Sequence, residues 1–276
     1  MAVLLFGAAG LFGKFLDLPA IWIVFGRCGF AALALGGVLA LGPNRFWRLS
    51  LREGLFFLLL GLILAFHWAA FFHTIQVSSV ALGVITFSTF PLFTTLLEPF
   101  FFKEALRPGD LLGALVMLGG LILVLPDFQW GSRITQGVFW GTLSGFSFAL
   151  LSVLNRWGVQ RRPALAVTFY QTLVAAVVLL PLVAGQHRFP DAGELGLLLI
   201  LGVVCTALAH FLFVYSMRTV SAQLASMVAC LETVYGVVLA FFFLGEVPAL
   251  RTMAGGAVIL ITALGAIHYR RRPDAE

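Results

Sequence analysis

The chain has 276 residues, 61% of them hydrophobic and only 11% charged, with a formal net charge of +5. Soluble domains carry roughly 25% charged residues, so this composition excludes a water-facing globule and leaves no soluble module on which basic residues would meet nucleic acid. The apolar runs are about 17 to 26 residues long and do not alternate in polarity, which predicts helices crossing a bilayer and excludes a membrane barrel.

Ten spans are predicted in chain order, near residues 2–18, 20–41, 54–73, 77–102, 110–126, 136–155, 163–184, 195–216, 219–244 and 252–268. The first starts at "MAVLLFGAAGLFGKF", which lacks the basic opening of a cleaved signal and reads as a span. It carries Lys14 on one face with Gly7 and Gly10; the second carries Arg27 after the tight "LDLPA" turn. A charge at mid-bilayer depth costs about 2.5 to 3.5 kcal/mol on insertion scales, so each one needs a partner or a task. Lys14 and Arg27 are candidates for a cationic lining that attracts a substrate carboxylate or phosphate. The structural alternatives are a Lys14–Asp17 pair or snorkelling, and the tying of helices by Arg27.

The third span holds His67 and Trp68 in "AFHWAAFFHTI". A histidine titrates near neutral pH and can relay a proton or bond a substrate, or it can be a satisfied structural residue. Trp68, with Phe71 and Trp140, is a candidate aromatic wall. In the fourth span Ser88, Pro91, Thr95 and Glu98 fall at i, i+3, i+7 and i+10, one stripe of a helix, with Pro91 freeing a backbone carbonyl. That stripe is either a cavity wall or polar glue between helices. Gly137, Gly141 and Gly145 recur every fourth residue in the sixth span and read as a close-packing face.

The seventh span adds Tyr170 and Gln171, a polar pair at the depth of Arg27, and the eighth adds His210 in "ALAHFLF". In the ninth, Glu232 stands near mid-span in "CLETVYG". It is expected to carry a coupled proton or meet a substrate ammonium group; the alternative is helix tying through Arg27, a histidine or the backbone. Cys28, Cys205 and Cys230 lie inside apolar runs and read as small buried hydrophobes.

With ten spans the loop cations separate by side. Arg45, Arg48, Arg52, Lys103, Arg107, Arg156, Arg161, Arg162, Arg218, Arg270, Arg271 and Arg272 fall on one side, and Arg133, Arg188 and Arg251 on the other. This bias predicts that both termini are cytoplasmic. The turn "FFFKEALRPG" at 100–109 is echoed by "FFFLGEVPALR" at 241–251, placing Glu104 and Glu246 142 residues apart with five crossings between them. Both glutamates read as turn or helix-capping residues. "VFGRCGFAALAL" (24–35) aligns with "TFYQTLVAAVVL" (168–179), and "QVSSVALGVITF" (76–87) with "RTVSAQLASMVA" (218–229), at similar offsets. The chain therefore reads as an inverted repeat, residues 1–126 and 136–269, followed by a short basic tail at 270–276, and such a repeat predicts alternating access around a site near the midplane.

The stretches "FGAAGLFGKFLDLPAIWIVFGRCGFAALAL", "STFPLFTTLLEPFFFKEAL" and "LETVYGVVLAFFFLGE" resemble the drug/metabolite transporter superfamily, specifically its EamA-type members. The resemblance covers nearly the whole chain. It implies an all-helical carrier of ten transmembrane helices with both termini cytoplasmic and a central cavity, moving amino acids, other small metabolites or drugs, often outward. Thr233 stands where family members often carry a second-half proline, opposite Pro91.

The expected function is secondary export of a small, amino-acid-like metabolite across a bacterial-type inner membrane, with the bilayer and a small-molecule substrate as partners. The alternatives are a proton-coupled multidrug exporter or, from another class, an intramembrane enzyme. No G-x-x-x-x-G-K-[ST], H-E-x-x-H or G-x-S-x-G pattern occurs, so neither nucleotide, metal nor other cofactor is expected. The oligomeric state is left open by the sequence.

Overall fold

A computed structural model of the chain describes residues 1–42, 48–102, 108–124, 129 and 131–270, save the side chains of Asp110 and of 266–270. The predicted caps for Glu104, the loop cations Arg45, Lys103, Arg107, Arg271 and Arg272, and nearly all of the basic tail lie outside these residues. Every regular element among the described residues is helical.

The first half begins with two short helices, α1 (Ala2–Ala9) and α2 (Phe12–Phe15), followed by α3 (Ala20–Ala40) and α4 (Leu51–Val77). Then come α5 (Val80–Phe87), α6 (Phe90–Phe102) and α7 (Pro108–Val124). The second half runs through α8 (Arg133–Val159), α9 (Ala164–Ala184) and α10 (Ala192–Gly202). A π-helical turn, Val203–Leu208, joins α10 to α11 (Ala209–Ser216), and α12 (Ala222–Ala229), α13 (Glu232–Leu244) and α14 (Leu250–Arg270) complete the chain.

Among the described residues, seven rods are long and apolar enough to cross a membrane, and Ala2–Phe15, Leu111–Val124 and Leu250–Gly265 are shorter apolar helices. The chain is an all-helical, multi-pass membrane protein. Side chains obey the inverted solvent. Ile23, Val24, Leu60, Leu64, Phe72, Leu151 and Val167 are sealed between helices, while Leu33, Leu62, Leu180 and Phe242 point outward, where lipid tails would meet them.

Several helices start earlier than hydrophobicity alone indicates, because polar caps hold their first turns. Ser50 accepts from Glu53 N while Glu53 reaches back to Ser50 N, so α4 begins at Leu51 and not near 54. Asp191 and Glu194 repeat this box at α10, and Ser132 caps α8.

Two rods break in mid-course. Between α5 and α6 the helix stops at Ser88 and Thr89, two residues before Pro91, which has no N–H to give the Phe87 carbonyl. Between α12 and α13 it stops at Cys230 and Leu231, at an offset of 142, although Thr233 replaces the proline. Here a hydroxyl substitutes. Thr233 Oγ1 donates to the Val84 carbonyl at 3.3 Å and contacts the Ser88 hydroxyl, while Cys230 Sγ donates to the Ser88 carbonyl at 3.7 Å. The two breaks are thus bonded to each other.

The glycine face of the sixth span packs against α5 as expected. A Cβ at Gly137 would meet Leu82 and Ser78, one at Gly141 would collide with Thr86, and one at Gly145 would lie 2.8 Å from the Phe87 carbonyl. Packing across the halves brings α3 onto α9, α4 onto α8 and α9, α1 onto α13, and α7 onto α14.

Candidate functional site

One cavity inside the helix bundle gathers charge, imidazole and aromatic rings. Phe6, Ala9, Arg27, His67, Trp68, Phe71, Phe87, Phe148, His210 and Glu232 line it. Its volume is about 30 Å³, room for only about two water-sized molecules. Anything larger enters only if the walls part.

Arg27 reaches the cavity from α3 and is 2% exposed. Its Nε donates to Thr206 Oγ1 at 2.9 Å, and its guanidinium lies 3.8 Å over the Trp68 ring. The π turn makes this possible: Thr206 donates to the carbonyl of Leu201, five residues back, at 2.7 Å, and so turns its oxygen toward Arg27. A cation held by a ring and one hydroxyl keeps its remaining N–H donors for another acceptor.

Glu232 is the first residue of α13, where the helix dipole favours a negative charge. It is 6% exposed, and among the described residues it has neither a hydrogen bond nor an ion pair. Arg27 and Glu232 therefore share the cavity without joining across it. Opposite charges in a low-dielectric space attract strongly, and each lowers the cost of burying the other. Left unjoined, they form a socket with a positive wall and a negative wall.

The two histidines differ. His67 Nδ1 lies 3.0 Å from the Ser144 carbonyl and 2.9 Å from the Ser144 hydroxyl, which also reaches the His67 carbonyl at 3.0 Å. The Nδ1 edge of the ring is thereby fixed on Ser144 of α8. His210 is 1% exposed and neither of its ring nitrogens has a partner among the described residues. It sits edge-on to Trp68, with ring centroids 5.6 Å apart, and stacks on Phe213. A buried polar group without a partner is costly, and here it lines the cavity.

The predicted residues thus divide. Arg27, Glu232, His67, Trp68 and His210 converge on the cavity, and Phe71 joins them, whereas Trp140 packs on His73 elsewhere. Lys14 does not converge. It is exposed, donates from Nζ to the Ser78 carbonyl at 3.2 Å, and lines a separate cavity of about 500 Å³ with Asp17, Gln76 and Arg188. No Lys14–Asp17 bridge occurs among the described residues; Asp17 lies 3.7 Å from Arg188 instead.

The stripe of the fourth span turns toward the ninth. Thr95 Oγ1 accepts from Gln223 Nε2 at 2.8 Å, Ser88 meets Thr233, and Pro91 and Thr95 border a small cavity of about 20 Å³ near α7 and α14. Tyr170 stacks on Phe57 at 4.9 Å, and Gln171 is sealed within α9 with neither amide atom bonded among the described residues. Sequence reasoning missed Phe6, Phe87, Phe148, Ser144 and Thr206. One phenylalanine among 28 carries no signal of its own.

Comparison with known proteins agrees with this architecture. The EamA-like transporter family matches residues 1–125 and again 135–267. The chain is 27% identical to an uncharacterized transporter, YxxF, of Bacillus subtilis over 99% of its own length and 88% of that protein's. It is 27% identical to an S-adenosylmethionine uptake transporter of Rickettsia conorii, covering 78% of this chain and 72% of the other. It is 30% identical to the pseudopaline exporter CntI of Pseudomonas aeruginosa, covering 90% and 86%. A solved crystal structure at 18% identity superposes with a TM-score of 0.75, covering 98% of this chain and 96% of that one, and so shares the fold.

Proposed function

The chain belongs to the EamA-like transporter family, and from that premise we propose that it exports a small zwitterionic, amino-acid-like metabolite by alternating access. Membership makes it a membrane transporter of small molecules. The substrate class and direction are our reading. One observation carries the class: Arg27 and Glu232 face the same cavity and, among the described residues, are not joined to each other. A substrate carboxylate at Arg27 and an ammonium at Glu232 would complete both charges at once, and His210 would bond a further polar group.

In this reading residues 1–126 and 136–269 are two repeats inverted in the membrane, with both termini cytoplasmic. Support comes from the breaks at Ser88–Thr89 and Cys230–Leu231, from the capping boxes at Ser50 and Asp191, and from the self-paired contacts α3·α9 and α7·α14. A cavity of only about 30 Å³ is too small for such a substrate, which fits a state between the open forms of the cycle.

The aromatic lining favours a second reading, a proton-coupled exporter of apolar drugs, in which Glu232 exchanges protons and the rings hold the substrate. Relatives named for uptake and for export share the fold, so direction needs its own measurement. Purified protein in liposomes loaded with labelled amino acids decides among these. We expect efflux or exchange of a zwitterion, and Glu232→Gln is expected to abolish it while folded protein stays in the membrane. Flux by the variant equal to wild type would refute the role of Glu232. Flux of apolar cations alone, driven by a proton gradient, would select the second reading.

A further inference from the structure

The rods α5–α6 and α12–α13 lie antiparallel, bonded to each other at their breaks and tied again at both ends. At one end Glu98, 1% exposed, accepts from Ala222 N at 2.7 Å and Gln223 N at 2.9 Å, the first free amides of α12. Arg156 Nη1 donates to the same carboxylate at 2.5 Å. At the other end Glu246 follows Gly245, whose left-handed φ of 64° ends α13. Its carboxylate accepts from Val80 N at 3.1 Å and Ala81 N at 3.2 Å, the first free amides of α5.

The donating amides are related by the 142-residue offset, 80 to 222 and 81 to 223. The carboxylates are not, since Glu246 aligns with Glu104 and Glu98 lies six positions earlier. Different residues thus supply one and the same contact at opposite ends of the pair. Residues 80 and 98 are separated by about 27 Å of helix, close to the thickness of the hydrocarbon core. α5 contributes Phe87 and α13 contributes Glu232 to the cavity wall, so this pair of rods borders the cavity between its two tied ends.

We infer that Glu98 and Glu246 are the two latches of the transport cycle, each closing one mouth of the cavity by holding the N-terminus of the opposite rod. The inference rests on the alternating-access reading but not on the substrate proposed above. A carboxylate suits the task because the charge and both oxygens are used at once against two N–H donors and a helix dipole. In this structure both latches are closed.

The test uses Ala9→Cys, a cavity-lining reporter, in protein whose three cysteines are replaced by alanine, labelled with a membrane-impermeant maleimide in right-side-out and inside-out vesicles. No substrate is needed, so the outcome is separable from failure of the zwitterion assignment. Glu98→Gln is expected to raise labelling about tenfold from one face and Glu246→Gln about tenfold from the other, the factor set by losing one charge-assisted hydrogen bond. A capping role confined to stability would lower the Tm without choosing a face. Labelling unchanged in both variants, or raised from the same face in both, would overturn the inference. Should the glutamine variants fail to fold, Thr94→Cys with Ser226→Cys provides a lock, since these hydroxyls lie 3.1 Å apart on the Glu98 side. Oxidation is expected to stop transport and labelling through that face until reductant is added; full transport by the cross-linked protein would overturn the inference.

Discussion

His210 illustrates how a side chain can be kept against stability. Its ring is buried beside Trp68 and Phe213 with both nitrogens unbonded among the described residues, so a residue of similar shape without them should fold at least as well. His210→Phe is therefore expected to leave the Tm equal or higher while transport at low substrate falls about tenfold, the worth of one lost hydrogen bond to a buried partner. A fall in both Tm and transport would make His210 structural. Arg27→Lys keeps the charge but loses the planar face on Trp68 and the Nε bond to Thr206. Flux is expected to drop more than about tenfold, because an ammonium cannot reproduce a stacked, forked donor. At this scale the ionisable residues were legible, since a charge or an imidazole inside an apolar run is costly enough to stand out. Lys14 shows the limit. Sequence placed it on a helix face with glycines, and only the fold put its ammonium on a neighbouring carbonyl outside the cavity. Thr206 could not be found at all, because a lone threonine gains meaning only from the π turn that aims it.

Helix breaks were half legible. Pro91 announced the one between α5 and α6, but the one between α12 and α13 occurs at Cys230 and Leu231 without a proline, sustained by the Cys230 and Thr233 side chains bonding to backbone carbonyls of the other half. A single-span pattern cannot contain that information. The glycine face of α8 was legible in full, since a four-residue spacing specifies one helix face whatever lies against it. What lies against it is α5, and Gly141 leaves no space for a side chain beside Thr86. Gly141→Val is accordingly expected to destabilise the protein by about 1–3 kcal/mol or more, seen as a lower Tm and less folded protein recovered from the membrane. A variant with unchanged Tm would mean that the two helices separate without cost. Boundaries were missed by several residues at α4 and α8, because serine caps carry polar residues into helices that hydropathy assigns to loops.

For the whole molecule, the bias of loop cations predicts that reporter fusions at either terminus will be active on the cytoplasmic side. Opposite locations for the two ends would contradict the ten-span inverted arrangement. Composition determined that the chain lives in lipid, because 61% hydrophobic residues cannot be hidden from water in a fold of this size, and the length of its unalternating apolar runs determined that it does so as helices. The half-chain echo likewise indicated that the spans come in two sets, since similar strings at a fixed offset need no coordinates to be seen. Only the tertiary structure decided that Arg27 and Glu232, on separate helices, share one cavity, and that Glu98 and Glu246 accept backbone amides at opposite ends of one pair of rods. Those contacts join residues far apart in the chain. Hydropathy fixes how deep a helix sits and never which neighbour it faces, so that choice is left to the packing of side chains across the halves.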